Sequence, residues 1–191
     1  MKNDRRGTKW CAEMDVRHFY DNLRPGVVMD ALRRRIKDRR MLDVCERLMR
    51  NGVLIGAYFS QWFANTVLQG LDRMIRESGY AKHYLRYMDN LTVLGSNKRK
   101  LRRLVELVRK WLHEHRLELK GTWQVFPTGK REVAALGYRF APGGGVRLRK
   151  RNRLRIMRQL RRYMRRKHID ARFAARTLSR LGQLTHCKHT E

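Results

Sequence analysis

Residues 10–16, WCAEMDV, split by a period of two: Trp10, Ala12, Met14 and Val16 fall on one side, Cys11, Glu13 and Asp15 on the other. That alternation predicts a half-buried strand. The period changes after the breaker RPG at 24–26, where Val28, Leu32 and Ile36 mark one face of a helix. Leu42, Cys45 and Met49 mark a second helix, stopped by Asn51-Gly52. A glycine-punctuated stretch, NGVLIGAYFSQ, leads into a helix over 62–77 with Phe63, Val67, Leu71 and Ile75 on one face. Ser60 is placed to cap it, and Gly70 costs it stability. YLRYMDNLTVLG, residues 84–95, is two apolar runs around an Asp-Asn pair, the pattern of a β-hairpin. Asn90 suits the bend because asparagine tolerates left-handed backbone angles.

Ser96 or Asn97 can cap the next helix, over 98–115, whose apolar stripe is Leu101, Leu104, Val108 and Leu112. Two short strand-like runs, TWQVF and VAALGYRF, flank PTGK. APGGGV at 141–146 is the one internal boundary, separating a domain over 1–140 from an appendage over 141–191. In the appendage Ile156, Leu160, Tyr163 and Met164 sketch an apolar seam, and Phe173, Ala174, Leu178 and Leu181 predict a further helix around 170–184. The order β-α-α-α-β-β-α-β-β, then helices, indicates an α+β fold with a helical basic extension.

Charge narrows the partners. The 191 residues hold 46 Lys and Arg against 17 Asp and Glu, a net +29, with 42% apolar content for a core. Folding does not need such an excess, since like charges oppose compaction. A phosphate backbone is the natural counterpart. No apolar run approaches the ~20 residues of a spanning helix, and MKNDRRGTKW lacks a signal-peptide core, so no membrane partner is expected. Three scattered cysteines, Cys11, Cys45 and Cys187, fit a reducing cytoplasmic setting. His186, Cys187 and His189 lack a second ligand pair and do not read as a metal site.

Against this cationic background two carboxylates stand at strand ends, Asp15 and Asp89, 74 residues apart. An antiparallel sheet can bring such ends together. Paired carboxylates beside a phosphate-binding surface can hold two divalent ions about 3.5–4 Å apart for in-line displacement at phosphorus. Aspartates at strand ends also serve as ordinary turn caps, and spacing alone leaves both readings open.

The flanking residues add a family. EMDVRHFYDNL resembles the first palm motif of reverse transcriptases, an acid followed five positions later by an aromatic. YLRYMDNLTVL resembles their Tyr-x-Asp-Asp hairpin, with Asn90 replacing the second acid. IGAYFSQWFANTVLQGLD is similar to the glycine-turn-helix motif beneath template and nucleotide. LELKGTWQVFP and ALGYRF resemble the segments after the hairpin, and LSRLGQLTHCKH resembles a bacterial thumb end. The motifs run in family order across roughly residues 8–189. Ile55-Gly56 and Ser60-Gln61 are similar to the enzymes of diversity-generating retroelements in bacteria and phage.

The resemblance implies a polymerase palm, an antiparallel sheet packed on helices, followed by a basic helical thumb. It implies an RNA-directed DNA polymerase that takes an RNA template, a DNA primer and deoxynucleoside triphosphates. Asp15 and Asp89, assisted by the Val16 carbonyl, would hold two Mg²⁺ ions, with Mn²⁺ as a substitute; Glu13 is a weaker ligand candidate. Tyr20 would lie under the incoming sugar and exclude a 2′-hydroxyl, and Gly56 would let backbone approach the nucleotide. Gln61 and Asn65 either bond template or nucleotide or occupy a polar helix face, with Ser60 and Asn90 as secondary positions. Tyr87 is as much a packing residue as a functional one. The chain begins about where the palm begins, so fingers are expected from a separate segment or an accessory protein. The rival reading is a catalytically weak or inactive nucleic-acid-binding relative, favoured by Asn90.

Overall fold

The computed structural model describes residues 4–53, 56–141, 144–165, 171–185 and 187. They form two compact units, Arg6–Phe126 and a second made of the residues from Pro127 onward together with residues 4–5. The first unit is built on a four-stranded sheet in the order β2-β3-β1-β4. Its strands are β1 (Trp10–Asp15), β2 (His83–Tyr87), β3 (Asn90–Gly95) and β4 (Gln124–Pro127). β1 and β2 both run antiparallel to β3, which is therefore the central rung.

Helices supply the other layer: α1 (Phe19–Asn22), α2 (Pro25–Arg33), α3 (Arg39–Leu48), α4 (Tyr58–Glu77) and α5 (Lys98–Glu114). Local chemistry sets their ends. Pro25 opens α2, where a missing N–H costs nothing. The Asp38 side chain accepts from the Arg40 and Met41 amides to start α3. Of the two possible caps for α5, Asn97 is the one used, accepting from Arg99 and Lys100. The α5 stripe Leu101, Leu104, Val108 and Leu112 is fully buried against Ala12, Leu91 and Val93 of the sheet and Val67, Leu68, Leu71 and Ile75 of α4.

α4 departs from expectation at two places. It begins at Tyr58, with Ala57 as its cap, so Ser60 lies inside the first turn and does not cap it. The Ser60 hydroxyl is buried with no partner among the described residues. Gly70 has a packing reason: a Cβ there would stand 3.0 Å from the Trp111 ring of α5. The helix-propensity cost of glycine is offset by close approach of two helices. Ile36 falls outside α2, which ends at Arg33.

The second unit holds a three-stranded antiparallel sheet, β5 (Val133–Ala135), β6 (Tyr138–Phe140) and β7 (Val146–Leu148). Leu136 and Gly137 form its first turn, both at positive φ (52° and 84°), the arrangement that matches strand twist. β7 was not signalled by the sequence, because the glycines before it mask its alternation. Helices α6 (Lys150–Met164) and α7 (Ala171–Leu181) follow. Ile156 is buried, the Tyr163 and Phe173 rings stack at 5.9 Å, and Gln159 donates to Thr177 at 3.0 Å. Met164 and Leu178 do not join this seam; both are exposed, at 82% and 67%. Of the His186, Cys187 and His189 group, only Cys187 lies among the described residues.

Replacing Gly70 with alanine should gain about 1 kcal/mol of helix propensity and lose about 1–3 kcal/mol to overpacking against Trp111. We expect net destabilisation in urea unfolding. In a Trp111→Leu background the same Gly70→Ala change should become stabilising, a sign reversal that a double-mutant cycle reads directly.

Candidate active site

Register builds the site. Asp15, the last residue of β1, faces Asn90 across the β1–β3 pair, and Tyr87 of β2 faces Asn90 from the other side. The hairpin loop is therefore two residues, Met88 and Asp89. Met88 carries the left-handed backbone at φ 53°, whereas Asn90 already belongs to β3. Sequence reasoning had the left-handed residue at Asn90; pairing register overrides that preference. A long side chain held there costs on the order of 1–3 kcal/mol and persists only where its surroundings impose it.

Those surroundings are a largely buried charge network. The Arg86 guanidinium grips Asp72 of α4 with two bonds of 2.7 Å, one to each carboxylate oxygen. Its remaining nitrogen donates to the Asn65 side chain at 2.8 Å and to the Met88 carbonyl at 3.1 Å. Tyr84 adds a 2.6 Å bond to Asp72, and burial with that carboxylate pushes its phenol pKa up, keeping it a donor. A fork-on-carboxylate pair is geometrically specific. Here it ties the hairpin turn to α4. Sequence reading missed Arg86 and Asp72, though period-two logic places Arg86 on the same face as the half-buried Tyr84, where an arginine needs a carboxylate.

From the other side, the Val16 N–H donates to the Asp89 carbonyl at 3.2 Å. Because Asp15 pairs with Asn90, the neighbouring Asp89 stands beside it at the same sheet end, close enough for the two charges to interact. Burial, together with the charge on Asp15, holds the Asp89 carboxyl above its usual range, and a 3.1 Å bond from the Asn90 amide partly opposes this. Lys120, also unforeseen, sets its ammonium 3.4 Å from Asp15. Tyr20, on the short α1 turn, points its hydroxyl at the Met88 sulfur (3.9 Å). Burial raises the Tyr20 pKa, and the nearby Asp89 charge adds to the effect.

Asp15, Val16, Tyr20, Tyr87, Asp89 and Asn90 thus meet at one sheet end. Glu13 does not: it pairs with Thr92, two residues back along the strand. Asn65 enters through Arg86, while Gln61, one turn earlier on α4, is exposed on the same helix face. Gly56 has φ 92° and open space where a Cβ would stand, so glycine is required by the backbone and not by crowding. Ile55 lies outside the described residues. Among the described residues no three His, Cys, Asp or Glu converge as a metal cage. Two adjoining carboxylates still suit Mg²⁺, which keeps waters and takes only one or two protein carboxylates plus substrate phosphates.

A helix-backed antiparallel sheet with carboxylates at adjoining strand ends defines the palm of a nucleic-acid polymerase. The profile of the family described as reverse transcriptase (RNA-dependent DNA polymerase) matches residues 1–140, and the chain belongs to that family. A search of curated proteins finds no match. Among solved structures the chain is similar to apo telomerase from Candida tropicalis truncated from its C-terminal domain, with TM-score 0.62 and 13% identity over 75% of this chain and 36% of that one. It is also similar to apo telomerase from the same organism (TM-score 0.60, 12% identity, 77% and 34% covered). A third likeness is telomerase from Candida albicans in complex with a fragment of telomeric RNA (TM-score 0.57, 12% identity, 75% and 31% covered). These likenesses establish the fold, and the chain spans about a third of the length of each.

The site also makes a stability prediction. The folded Asp89 pKa lies above its unfolded value, so its protonation favours folding at low pH and that contribution is lost as pH rises through the folded pKa. At neutral pH without metal, Asp89→Asn should therefore stabilise the protein modestly, since the site is partly exposed and solvent-screened. Thermal melts in EDTA check this: the variant should melt higher than the wild-type protein.

Proposed function

We propose that this chain is the catalytic core of an RNA-directed DNA polymerase that extends a DNA primer on an RNA template. One observation carries the reading: Asp15 and Asp89 adjoin at the sheet end, with the Tyr20 ring beside them. Asp15 and Asp89, with the Val16 carbonyl, would hold two Mg²⁺ ions, or Mn²⁺ in their place. When bound, these would supply the positive charge that activates the primer 3′-hydroxyl and stabilises the leaving pyrophosphate. The chain's own residues position and discriminate. Arg86 fixes the turn that presents Asp89, and Lys120 adds positive charge beside Asp15. Tyr20 would bar a ribose 2′-hydroxyl, while Gly56 and Gln61 would border the nucleotide, with Ser60 and Asn65 supporting α4 behind them.

The cleft between α6 and α7 supports a grip on the template–primer duplex. Arg151, Arg155, Arg158 and Arg162 line it from α6, and Arg176 and Arg180 from α7. Such a surface reads backbone and shape, leaving sequence to base pairing. The Ile55-Gly56 and Ser60-Gln61 variants favour a retroelement of the diversity-generating kind. The rival reading, a nucleic-acid binder with little turnover, draws on Asn90, which faces Asp15 and brings no charge to a dication site.

Primer extension on an RNA template, run alone and with a fingers segment in trans, tests the proposal. Asp15→Asn and Asp89→Asn should each cut Mg²⁺-dependent extension by at least about 100-fold, some 2.7 kcal/mol, while leaving template binding intact. Equal extension by both variants refutes the assignment. Tyr20→Ala should raise ribonucleotide use relative to deoxynucleotide at least about tenfold in kcat/KM. Parallel loss of both nucleotide classes would make Tyr20 a packing residue only.

A further inference from the structure

A groove of about 970 Å³ lies between α2, α4 and the end of α5, and it shares no lining residue with the hairpin site. Its cations are all arginine: Arg24, Arg34 and Arg35 at the two ends of α2, Arg73 on α4 and Arg116 after α5. Two carboxylates, Asp30 and Glu114, also line it. Asp30 is 3.4 Å from Arg33, and Arg73 is braced by Glu77 at 2.8 Å. Arg34 and Arg35 are exposed and form no ion pair among the described residues.

The wall between these cations is mixed, with Thr66 and Gln69 beside a larger apolar part. Val27, Ala31 and Val67 line it together with Trp111, whose ring stacks on His115 at 3.7 Å. Gly70 is what lets Trp111 sit there, since any side chain would displace the ring. Guanidinium forks at the rim suit phosphate, and an apolar, aromatic wall suits the faces of unpaired bases. Arg24 to Arg35 spans roughly 16 Å along α2, a reach of a few nucleotides. A duplex hides its base faces and would leave the wall unused.

We propose that this groove is a second nucleic-acid site, binding a short single-stranded segment with phosphates on the arginines and a base against the Trp111–His115 pair. It lies apart from the polymerising site and would anchor single strand away from the reacting end. The inference stands without turnover, because it rests on the groove's own residues.

The test is photocrosslinking with 12-nucleotide single strands carrying 5-bromouridine, as RNA and as DNA, mapped by mass spectrometry on the full chain. Crosslinks should fall on Trp111 or His115, and they should persist in the Asp15→Asn/Asp89→Asn protein, which separates this site from the proposed catalysis. Arg34→Glu/Arg35→Glu should abolish them and weaken oligonucleotide binding about tenfold. It should also make the salt dependence shallower by about 1.4 in log–log slope, for two lost phosphate contacts. Arg102→Glu/Arg103→Glu, exposed on α5 outside the groove, should keep the crosslinks. Crosslinking by both strands supports the shared phosphodiester chemistry, and a preference for one names its source. Crosslinks confined to other residues, with the groove variant binding as wild type, overturn the proposal. So does displacement by an acidic peptide that outcompetes an oligonucleotide of equal charge, which would make the groove a protein-docking site.

Discussion

The bond from Arg86 to the Met88 carbonyl, backed by the Arg86–Asp72 pair, is the constraint on which the site depends. Both side chains of that pair are 12% exposed, so each gives up most of its hydration. Breaking such a pair by removing one member costs about 3–5 kcal/mol, although an apolar replacement of both can be neutral for stability. What an apolar pair could not do is hold a carbonyl. With Met88 fixed at a left-handed angle, the next residue, Asp89, is delivered to the end of β1 and nowhere else. Val16 then clamps the Asp89 backbone, and Tyr20 closes the space beneath.

The second consequence is electrostatic. A chain of net +29 concentrates two carboxylates where they repel each other, and burial pushes Asp89 further toward its neutral form. The arrangement costs the metal-free state, and a dication bound there, as proposed, would remove that penalty. Lys120 offsets part of it from one side. Asn90 offsets another part by donating to Asp89 where the family's second acid would add a third negative charge. Asparagine here therefore eases the metal-free protein and, under the proposed function, would weaken the pull on metal at once.

Much of the fold was legible because its periods are clean. The strand ending at Asp15, the hairpin, and the buried stripes of α4 and α5 all follow from alternation or helical spacing. The pairing of Asp15 with Asp89 was legible only as a possibility that the neighbouring motifs strengthened. What sequence could not show depends on register and on distant partners. The left-handed residue is Met88 because Tyr87 pairs with Asn90, which leaves a two-residue loop that residue preference alone would not select. Arg86 and Asp72 meet across a helix and a strand. Gly70 reads as a defect until Trp111 is seen against it, and Ser60 reads as a cap until α4 is seen to begin two residues earlier.

The central claim is that Arg86, which is not among the proposed metal ligands, sets the proposed metal site by placing the turn. The direct measurement is Mn²⁺ affinity by electron paramagnetic resonance in wild type and Arg86→Lys. Lysine keeps the charge beside Asp72 but loses the fork and the reach to the Met88 carbonyl. With folding verified by circular dichroism, the account predicts Mn²⁺ binding weakened about 10- to 100-fold, as for loss of a group that orients metal ligands. Unchanged affinity in a folded Arg86→Lys protein would contradict it.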